Sequence, residues 1–182
     1  SHETLATWTD GSWTREPTGP IYGFGHDSRR IGQGEMFVAL RAEQRDGHDF
    51  LDHAANGGAV AALVEREVEE CPLPQLQVDD CVEAFLRMGG SHRQAFQGKV
   101  VAVTGSCGKT STKDALSLLL GSETCLATEG NLNNLLGVPL TLLRLDPEKH
   151  EGAVVEAGIN QPGEMIRLAK AISPDLVVVT MI

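Results

Sequence analysis

The sequence predicts an α/β protein with parallel strands, arranged as two domains. Hydrophobic residues make up 41% of the chain, enough for a packed core, whereas aromatic residues make up only 4%. Val, Leu, Ala and Gly therefore fill the interior, which suits strands that are buried on both faces of a parallel sheet. In the second half of the chain, short apolar runs alternate with helical segments of about ten to twelve residues, the pattern of βαβ units. The 182 residues allow one large or two small domains.

The first half, residues 1–97, is predicted to form a small α/β domain of its own. Two short strands flank a Gly-rich turn within residues 22–40, and the run MFVAL at 36–40 is the clearer strand. The remaining expected elements are a helix over about 49–56, a strand at 59–64, a short strand ending the segment 71–78, and a helix over 82–96. Asp79 or Asp80 can cap that last helix, and Gly89-Gly90 is a candidate interruption of it.

The second half, residues 98–182, reads as the start of a parallel-sheet domain. Its expected strands are VVAV at 100–103 and the segments 123–128, 152–156 and 175–182. Its expected helices run over about 109–120, after Pro139, and over 162–172. Crossovers of this kind bring the carboxyl ends of the strands to one edge, where parallel sheets bind ligands.

The segment TGSCGKTS, residues 104–111, is predicted to bind phosphate groups. Gly105 and Gly108 leave the backbone N–H groups open, and the helix that starts at Lys109 adds its positive N-terminal end. Lys109 can reach the β- and γ-phosphates, and the Thr110 hydroxyl can join a Mg²⁺ shell. The alternative is a pair of turn glycines before a core helix, with Lys109 solvated.

A single acid, Glu156, ends the apolar strand at 152–156. A carboxylate at that edge of the sheet can complete a Mg²⁺ site, directly or through water. The alternative is a strand-end acid that faces solvent.

Composition excludes several classes of function. The net charge of −10 argues against a general nucleic-acid binder, which needs a basic surface. The four cysteines, Cys71, Cys81, Cys107 and Cys125, have no metal-binding spacing and are expected to be free thiols. With no apolar run of about 18 residues and no signal-peptide pattern, we expect a cytoplasmic protein without membrane insertion.

Several segments together resemble the Mur ligases, ATP-dependent amide-bond ligases that build the peptide stem of peptidoglycan. They are TGSCGKTSTK at 104–113, GNLNNLLGVPLTLL at 130–143 and VVEAGINQPGEM at 154–165. HDSRRIGQGEMFVAL at 26–40 and the segment 46–65 resemble the family's uridine-nucleotide-binding domain. The resemblance implies a uridine-nucleotide domain at 1–97 and part of the central P-loop ATPase domain at 98–182.

Within the family, the segments 130–143 and 154–165 look most like the branch that adds D-Ala-D-Ala to UDP-N-acetylmuramoyl-tripeptide. The alternative branch adds the third stem residue and usually carries a T-T-P element after its phosphate loop, which this sequence lacks. The resemblance implies ATP and Mg²⁺ as cofactors and an acyl-phosphate intermediate, and we expect a monomer.

The resemblance also implies roles for particular residues. ATP phosphates are expected on Gly105, Ser106, Cys107, Gly108, Lys109, Thr110 and Ser111. Lys109 steadies the transferring group, and Thr110 and Glu156 serve magnesium. Asn131, Asn133 and Asn134 are expected to face the phosphate and acyl region, or else to cap their own loop.

For the uridine nucleotide, the resemblance implies Ser28 and Arg29, whose alternative is a surface arginine after a turn. His48 either caps the following helix or positions the uridine. Ala42 stands where relatives usually have glycine, so a positive φ there would strain the pocket.

The family's central domain continues past residue 182 and is followed by a third domain, so we expect this chain alone not to ligate. Two other classes stay open: another P-loop enzyme, such as a small-molecule kinase, and a non-catalytic nucleotide-binding module.

Overall fold

The computed structural model describes residues 1–42 and 44–181, which form two compact units. The first unit is Ser1–Phe85, and the second begins at Leu86. The assignment of domains to residues 1–97 and 98–182 stays a prediction. No helix in the described part of the chain has the length and apolar character needed to cross a bilayer.

The first unit is built on a five-stranded sheet with the order β1-β7-β6-β3-β2. All neighbouring strands are parallel except the pair β1 and β7. The elements are α1 (His2–Thr9), β1 (Ser12–Trp13), β2 (Gly23–Gly25), β3 (Glu35–Val38), β4 (Arg41–Ala42), β5 (Arg45–Asp46), a 3-10 helix (Gly47–Phe50), α2 (Leu51–Gly57), β6 (Ala61–Val64), β7 (Gln75–Gln77) and α3 (Cys81–Ala95), which continues into the second unit.

The core of the first unit lies between β3, β6 and α2. All four residues of β6 are buried, and Phe37 of β3 is 2% exposed, as expected for central strands covered on both faces. Helix α2 ends where the sequence predicted, because Gly58 adopts a left-handed conformation with φ of 109°. Asp80 caps α3, since its carboxylate accepts the N–H of Glu83 at 2.9 Å.

Two expectations for this region were wrong or incomplete. Helix α3 runs unbroken through Gly89 and Gly90. A Cβ at Gly89 would lie 2.8 Å from Cα of Pro139, and one at Gly90 would lie 3.3 Å from Cα of Ala171, so close packing explains both glycines. Helix α1 was not predicted, although the Ser1 hydroxyl caps it by accepting the N–H of Thr4 at 3.2 Å.

The second unit contains a four-stranded parallel sheet with the order β11-β8-β10-β9. Its elements are β8 (Lys99–Thr104), α4 (Lys109–Leu120), β9 (Cys125–Ala127), α5 (Gly137–Leu142), β10 (Gly152–Glu156), α6 (Glu164–Ile172) and β11 (Leu176–Val179). The central strands β8 and β10 pair so that Val103 lies opposite Glu156. Their carboxyl ends therefore bring the loop before α4 next to Glu156.

Candidate nucleotide-binding site

The loop between β8 and α4 is open on the side of its backbone N–H groups. Gly105 and Gly108 have φ of 134° and 84°, values that L side chains rarely adopt. A Cβ at Gly105 would overlap the Thr180 hydroxyl and would lie 2.8 Å from the carbonyl oxygen of Met181. Gly108 is the N-cap residue of α4 and brings no side chain to the helix end. The first turn of α4 therefore presents N–H groups that suit an anion.

Two hydrogen bonds hold this loop from the segment that follows β11. The N–H of Ser106 donates to the Met181 carbonyl at 2.6 Å. The Thr180 hydroxyl lies 2.6 Å from the Cys107 carbonyl and 3.1 Å from that of Thr104, and it can donate to either. The conformation of the loop is thus set by tertiary contacts as well as by its glycines.

The side chain of Lys109 folds back over the loop. Its Nζ donates to the Gly105 carbonyl at 2.7 Å, and the residue is half-buried. This differs from the solvated lysine of the alternative interpretation. Thr110 and Ser111 follow in the exposed first turn of α4, where their hydroxyl and N–H groups can reach a ligand.

Glu156 is 2% exposed, so the alternative of a solvent-facing acid was wrong. Its Oε2 accepts a hydrogen bond from the Thr110 hydroxyl at 3.0 Å. Its Oε1 accepts from Nδ2 of Asn133 at 2.8 Å. A buried carboxylate needs such partners, because an unpaired charge in the interior is costly.

The oxygen set at this point fits Mg²⁺. The Thr110 hydroxyl and the Glu156 carboxylate are hard ligands that already lie side by side at the phosphate loop. Within residues 1–42 and 44–181 no cluster of three His, Cys, Asp or Glu side chains forms a metal cage. A Mg²⁺ ion held by Thr110 and Glu156 would take its remaining ligands from phosphate oxygens and water.

The three asparagines of the loop before α5 have different positions. Asn133 contacts Glu156, as described above. Asn134 is a cap, because its Oδ1 accepts the N–H groups of Leu136 and Gly137 at 3.1 and 2.8 Å. Asn131 is exposed. Asn134 therefore caps its own loop, which is the alternative that the sequence left open for these asparagines.

Two residues near Glu156 received no role from the sequence. Lys113, buried in α4, donates from Nζ to the Thr128 carbonyl at 2.9 Å. The Thr128 hydroxyl accepts the N–H of Glu156 at 2.9 Å. The four-residue spacing from Lys109 places Lys113 on the same face of the helix, but its partner Thr128 lies just past β9, the next strand along the chain.

The first unit contains a cavity of about 590 Å³. Phe37, Leu40 and Phe50 supply apolar wall, and Ser28, Arg29 and Arg45 supply polar groups. The structure thus brings Ser28 and Arg29 to one cavity, as their predicted shared role requires.

Arg29 is fixed by a bidentate ion pair with Asp27. Its Nε and NH2 donate to the two carboxylate oxygens at 2.8 Å each. The Arg29 guanidinium holds the pKa of Asp27 well below its usual range. The Arg29 side chain is 76% exposed, so its remaining N–H groups are open to a ligand.

His48 does not reach that cavity. It is 3% exposed, and its Nε2 accepts the N–H of Glu65 at 2.9 Å. The ring proton therefore lies on Nδ1, which donates to Asp46 at 2.5 Å. Asp46 also caps the 3-10 helix by accepting the N–H of His48. His48 holds the chain before α2 to the end of β6, and its role in positioning the uridine stays a prediction.

Ala42 is not strained. Among the described residues, the non-glycine residues with positive φ are Asp10 and Ser173. Ala42 lies in β4 and pairs with Arg45 of β5. The strain expected from alanine at this position is therefore absent.

All four cysteines are free thiols, as predicted. Burial raises the pKa of the Cys71, Cys81 and Cys125 thiols, so these side chains are inert at neutral pH. Cys107 is exposed in the phosphate loop.

The parallel sheet, the glycine loop before α4 and the adjacent buried carboxylate define a P-loop nucleotide-binding protein. Residues 103–182 match the Mur ligase middle domain, and residues 20–86 match the Mur ligase family, catalytic domain. The UDP-N-acetylmuramoyl-tripeptide–D-alanyl-D-alanine ligase of Escherichia coli (strain K12) is 45% identical over 154 residues, 84% of this chain and 34% of that protein. The ligase of the same name from Bacillus subtilis (strain 168) is 38% identical over 165 residues, 89% of this chain and 36% of that protein.

Solved structures agree with these relatives. A crystal structure of MurF from Acinetobacter baumannii matches with a TM-score of 0.91 and 36% identity, over 98% of this chain and 40% of that one. MurF from Thermotoga maritima in complex with ADP matches with a TM-score of 0.76 and 34% identity, over 87% of this chain and 37% of that one. The chain belongs to the Mur ligase family. It spans about a third of the length of the curated relatives that it matches.

Proposed function

We propose that this chain carries the uridine-nucleotide and ATP-phosphate sites of a cytoplasmic, monomeric ligase that adds D-Ala-D-Ala to UDP-N-acetylmuramoyl-tripeptide. The observation that carries the proposal is the contact between Thr110 and the buried Glu156 at the phosphate loop. A serine or threonine after the loop lysine and a carboxylate on the neighbouring strand is the arrangement that serves Mg²⁺–ATP.

In the proposed reaction, a carboxylate oxygen of the tripeptide attacks the γ-phosphorus of ATP, and ADP leaves. The amine of D-Ala-D-Ala then attacks the acyl carbon, loses a proton and expels phosphate, which leaves an amide. Mg²⁺, held by Thr110 and Glu156, would neutralise phosphate charge. The chain's own part is positioning and electrostatics: the first-turn N–H groups of α4 bind phosphate oxygens, and Lys109 moves its ammonium from the Gly105 carbonyl to the transferring group.

The cavity of the first unit supports a uridine diphosphate as the second ligand. Its apolar wall, with Phe50 40% exposed, offers an aromatic surface to a base. Arg29 is held by Asp27 in one orientation, so little side-chain entropy is lost when it pairs with a diphosphate. A small-molecule kinase has no need for such a site.

Calorimetry with each ligand on single variants of the chain tests the proposal. Lys109→Ala should weaken Mg²⁺–ATP binding and leave UDP-N-acetylmuramoyl-tripeptide binding unchanged. Arg29→Ala should do the reverse. Arg30→Ala is the matched control for Arg29→Ala, because it removes the neighbouring cation, which does not line the cavity. Lys170→Ala is the control for Lys109→Ala, because it removes an exposed lysine outside the phosphate loop.

The outcomes separate the competing functions. Binding of Mg²⁺–ATP without the uridine nucleotide would favour another P-loop enzyme. Tighter binding of the UDP-linked dipeptide than of the tripeptide would favour the ligase that adds the third stem residue. Binding of neither ligand would overturn the proposal.

A further inference from the structure

Helix α4 turns polar residues toward the protein interior. Its buried residues are Lys113 and Ser117, whereas Leu118 and Leu119 are 71% and 83% exposed. Lys113 itself is only 6% exposed. An ammonium group in the interior is costly unless it is paired or hydrogen-bonded, so this burial requires compensation.

Lys113 obtains that compensation from two oxygens. Its Nζ donates to the Thr128 carbonyl at 2.9 Å and lies 2.9 Å from Oδ1 of Asp114, whose side chain is 62% exposed. The buried partner is therefore a backbone carbonyl just past the end of β9. The contact ties α4, one turn after Lys109, to the strand end beside β10.

Thr128 uses all of its polar atoms in this region, and it is 1% exposed. Its carbonyl accepts from Lys113, its N–H donates to the Val154 carbonyl at 3.1 Å, and its hydroxyl accepts the N–H of Glu156 at 2.9 Å. A single residue thus connects the buried ammonium to the backbone of the acid at the phosphate loop.

These contacts form a continuous path to the carboxylate. The backbone of Glu156 is held through Thr128, and its two carboxylate oxygens are held by Thr110 and Asn133. Thr110 belongs to the same helix as Lys113, so α4 contacts Glu156 directly through Thr110 and indirectly through Lys113 and Thr128. This arrangement fixes the acid relative to the first turn of α4.

We propose that Lys113 and Thr128 are positioning residues that set the place of the Glu156 carboxylate for the metal–nucleotide complex. The inference rests on the proposed function and deepens it. Both residues act through Glu156, by the hydrogen bonds described above. Groups that orient a metal ligand affect metal affinity by about 10- to 100-fold when they are removed.

The test compares nucleotide affinity with and without the metal. The Kd of ADP is to be measured calorimetrically in EDTA and in Mg²⁺. The Kd in EDTA divided by the Kd in Mg²⁺ reports the metal-dependent part of binding. Thr128→Val keeps the shape of the side chain and removes the hydroxyl, and Thr128→Ser is its matched control. Lys113→Met removes the ammonium, and Asp114→Asn is its control because it leaves the Thr128 contact in place.

Thr128→Val and Lys113→Met should each reduce the ratio by about tenfold or more, while Thr128→Ser and Asp114→Asn keep it within about twofold of the unmodified chain. A merely structural role would raise both Kd values by the same factor and leave the ratio unchanged, and that result would overturn the inference. Circular dichroism shows whether each variant is folded. If Lys113→Met does not fold, the Thr128 pair decides the question alone.

Binding of ADP to the unmodified chain distinguishes failure of this inference from failure of the proposed function. An unmodified chain that binds ADP more tightly with Mg²⁺, together with variants of unchanged ratio, contradicts only the role of Lys113 and Thr128. An unmodified chain that shows no Mg²⁺-dependent ADP binding overturns the proposed function and this inference together.

Discussion

Replacement of Gly105 by alanine should destabilise the second unit more than an ordinary glycine substitution. At φ of 134° an L residue is strained, by roughly 1–2 kcal/mol. The new Cβ would also overlap the Thr180 hydroxyl and approach the Met181 carbonyl. Those groups bond to Cys107 and Ser106, and each lost hydrogen bond costs about 1 kcal/mol. The expected total is about 3–4 kcal/mol of unfolding free energy.

The control for this substitution is Gly130→Ala. Gly130 also has a positive φ, 52°, but nothing lies within 4 Å of a Cβ built on it. That variant should lose only the strain energy, about 1–2 kcal/mol. Urea unfolding followed by far-UV circular dichroism measures both, and because both glycines lie in the second unit the same transition is compared. Equal losses in the two variants would refute the close approach of Thr180 and Met181 to the loop.

Three further predictions concern stability. Lys99, with neighbouring donors, lowers the pKa of Asp175 to about 2. The ion pair therefore stabilises the fold above about pH 4, and this stabilisation is lost as the pH falls through 2. The variant Asp175→Asn should flatten this dependence of the melting temperature on acid pH. Loss of the cap in Asn134→Ala should cost about 1 kcal/mol in urea unfolding, whereas Asn131→Ala should change little. His48→Ala should cost about 1–3 kcal/mol, because the buried partners of the ring lose their hydrogen bonds, and a stability equal to that of the unmodified chain would contradict the structural role.

The sequence predicted the elements of the site where local signals are strong. Helix α4 has the predicted bounds of 109–120, because Gly108 and Gly121 flank it and the glycine loop precedes it. The position of Glu156 followed from strand pairing, since the carboxyl ends of parallel strands share an edge. The sequence could not show that this acid is buried, because its partners Thr110 and Asn133 come from other segments.

The features that the sequence could not show have a common physical cause, which is tertiary contact. Gly89 and Gly90 look like a break in a helix until the close approach of other backbone is known. His48 has the residue type of a ligand-binding group, but both ring nitrogens are used inside the protein. Lys113 on a helix would ordinarily be assigned to the solvent face, and only the partner after β9 explains its burial.

The most direct test is a crystal structure of the chain with a non-hydrolysable ATP analogue and Mg²⁺. The phosphate oxygens should lie on the N–H groups that open α4, with the metal beside Thr110 and Glu156. The Nζ of Lys109, which donates to the Gly105 carbonyl at 2.7 Å, should instead contact a phosphate oxygen. An analogue bound elsewhere, with that contact intact and the loop empty, would contradict the account.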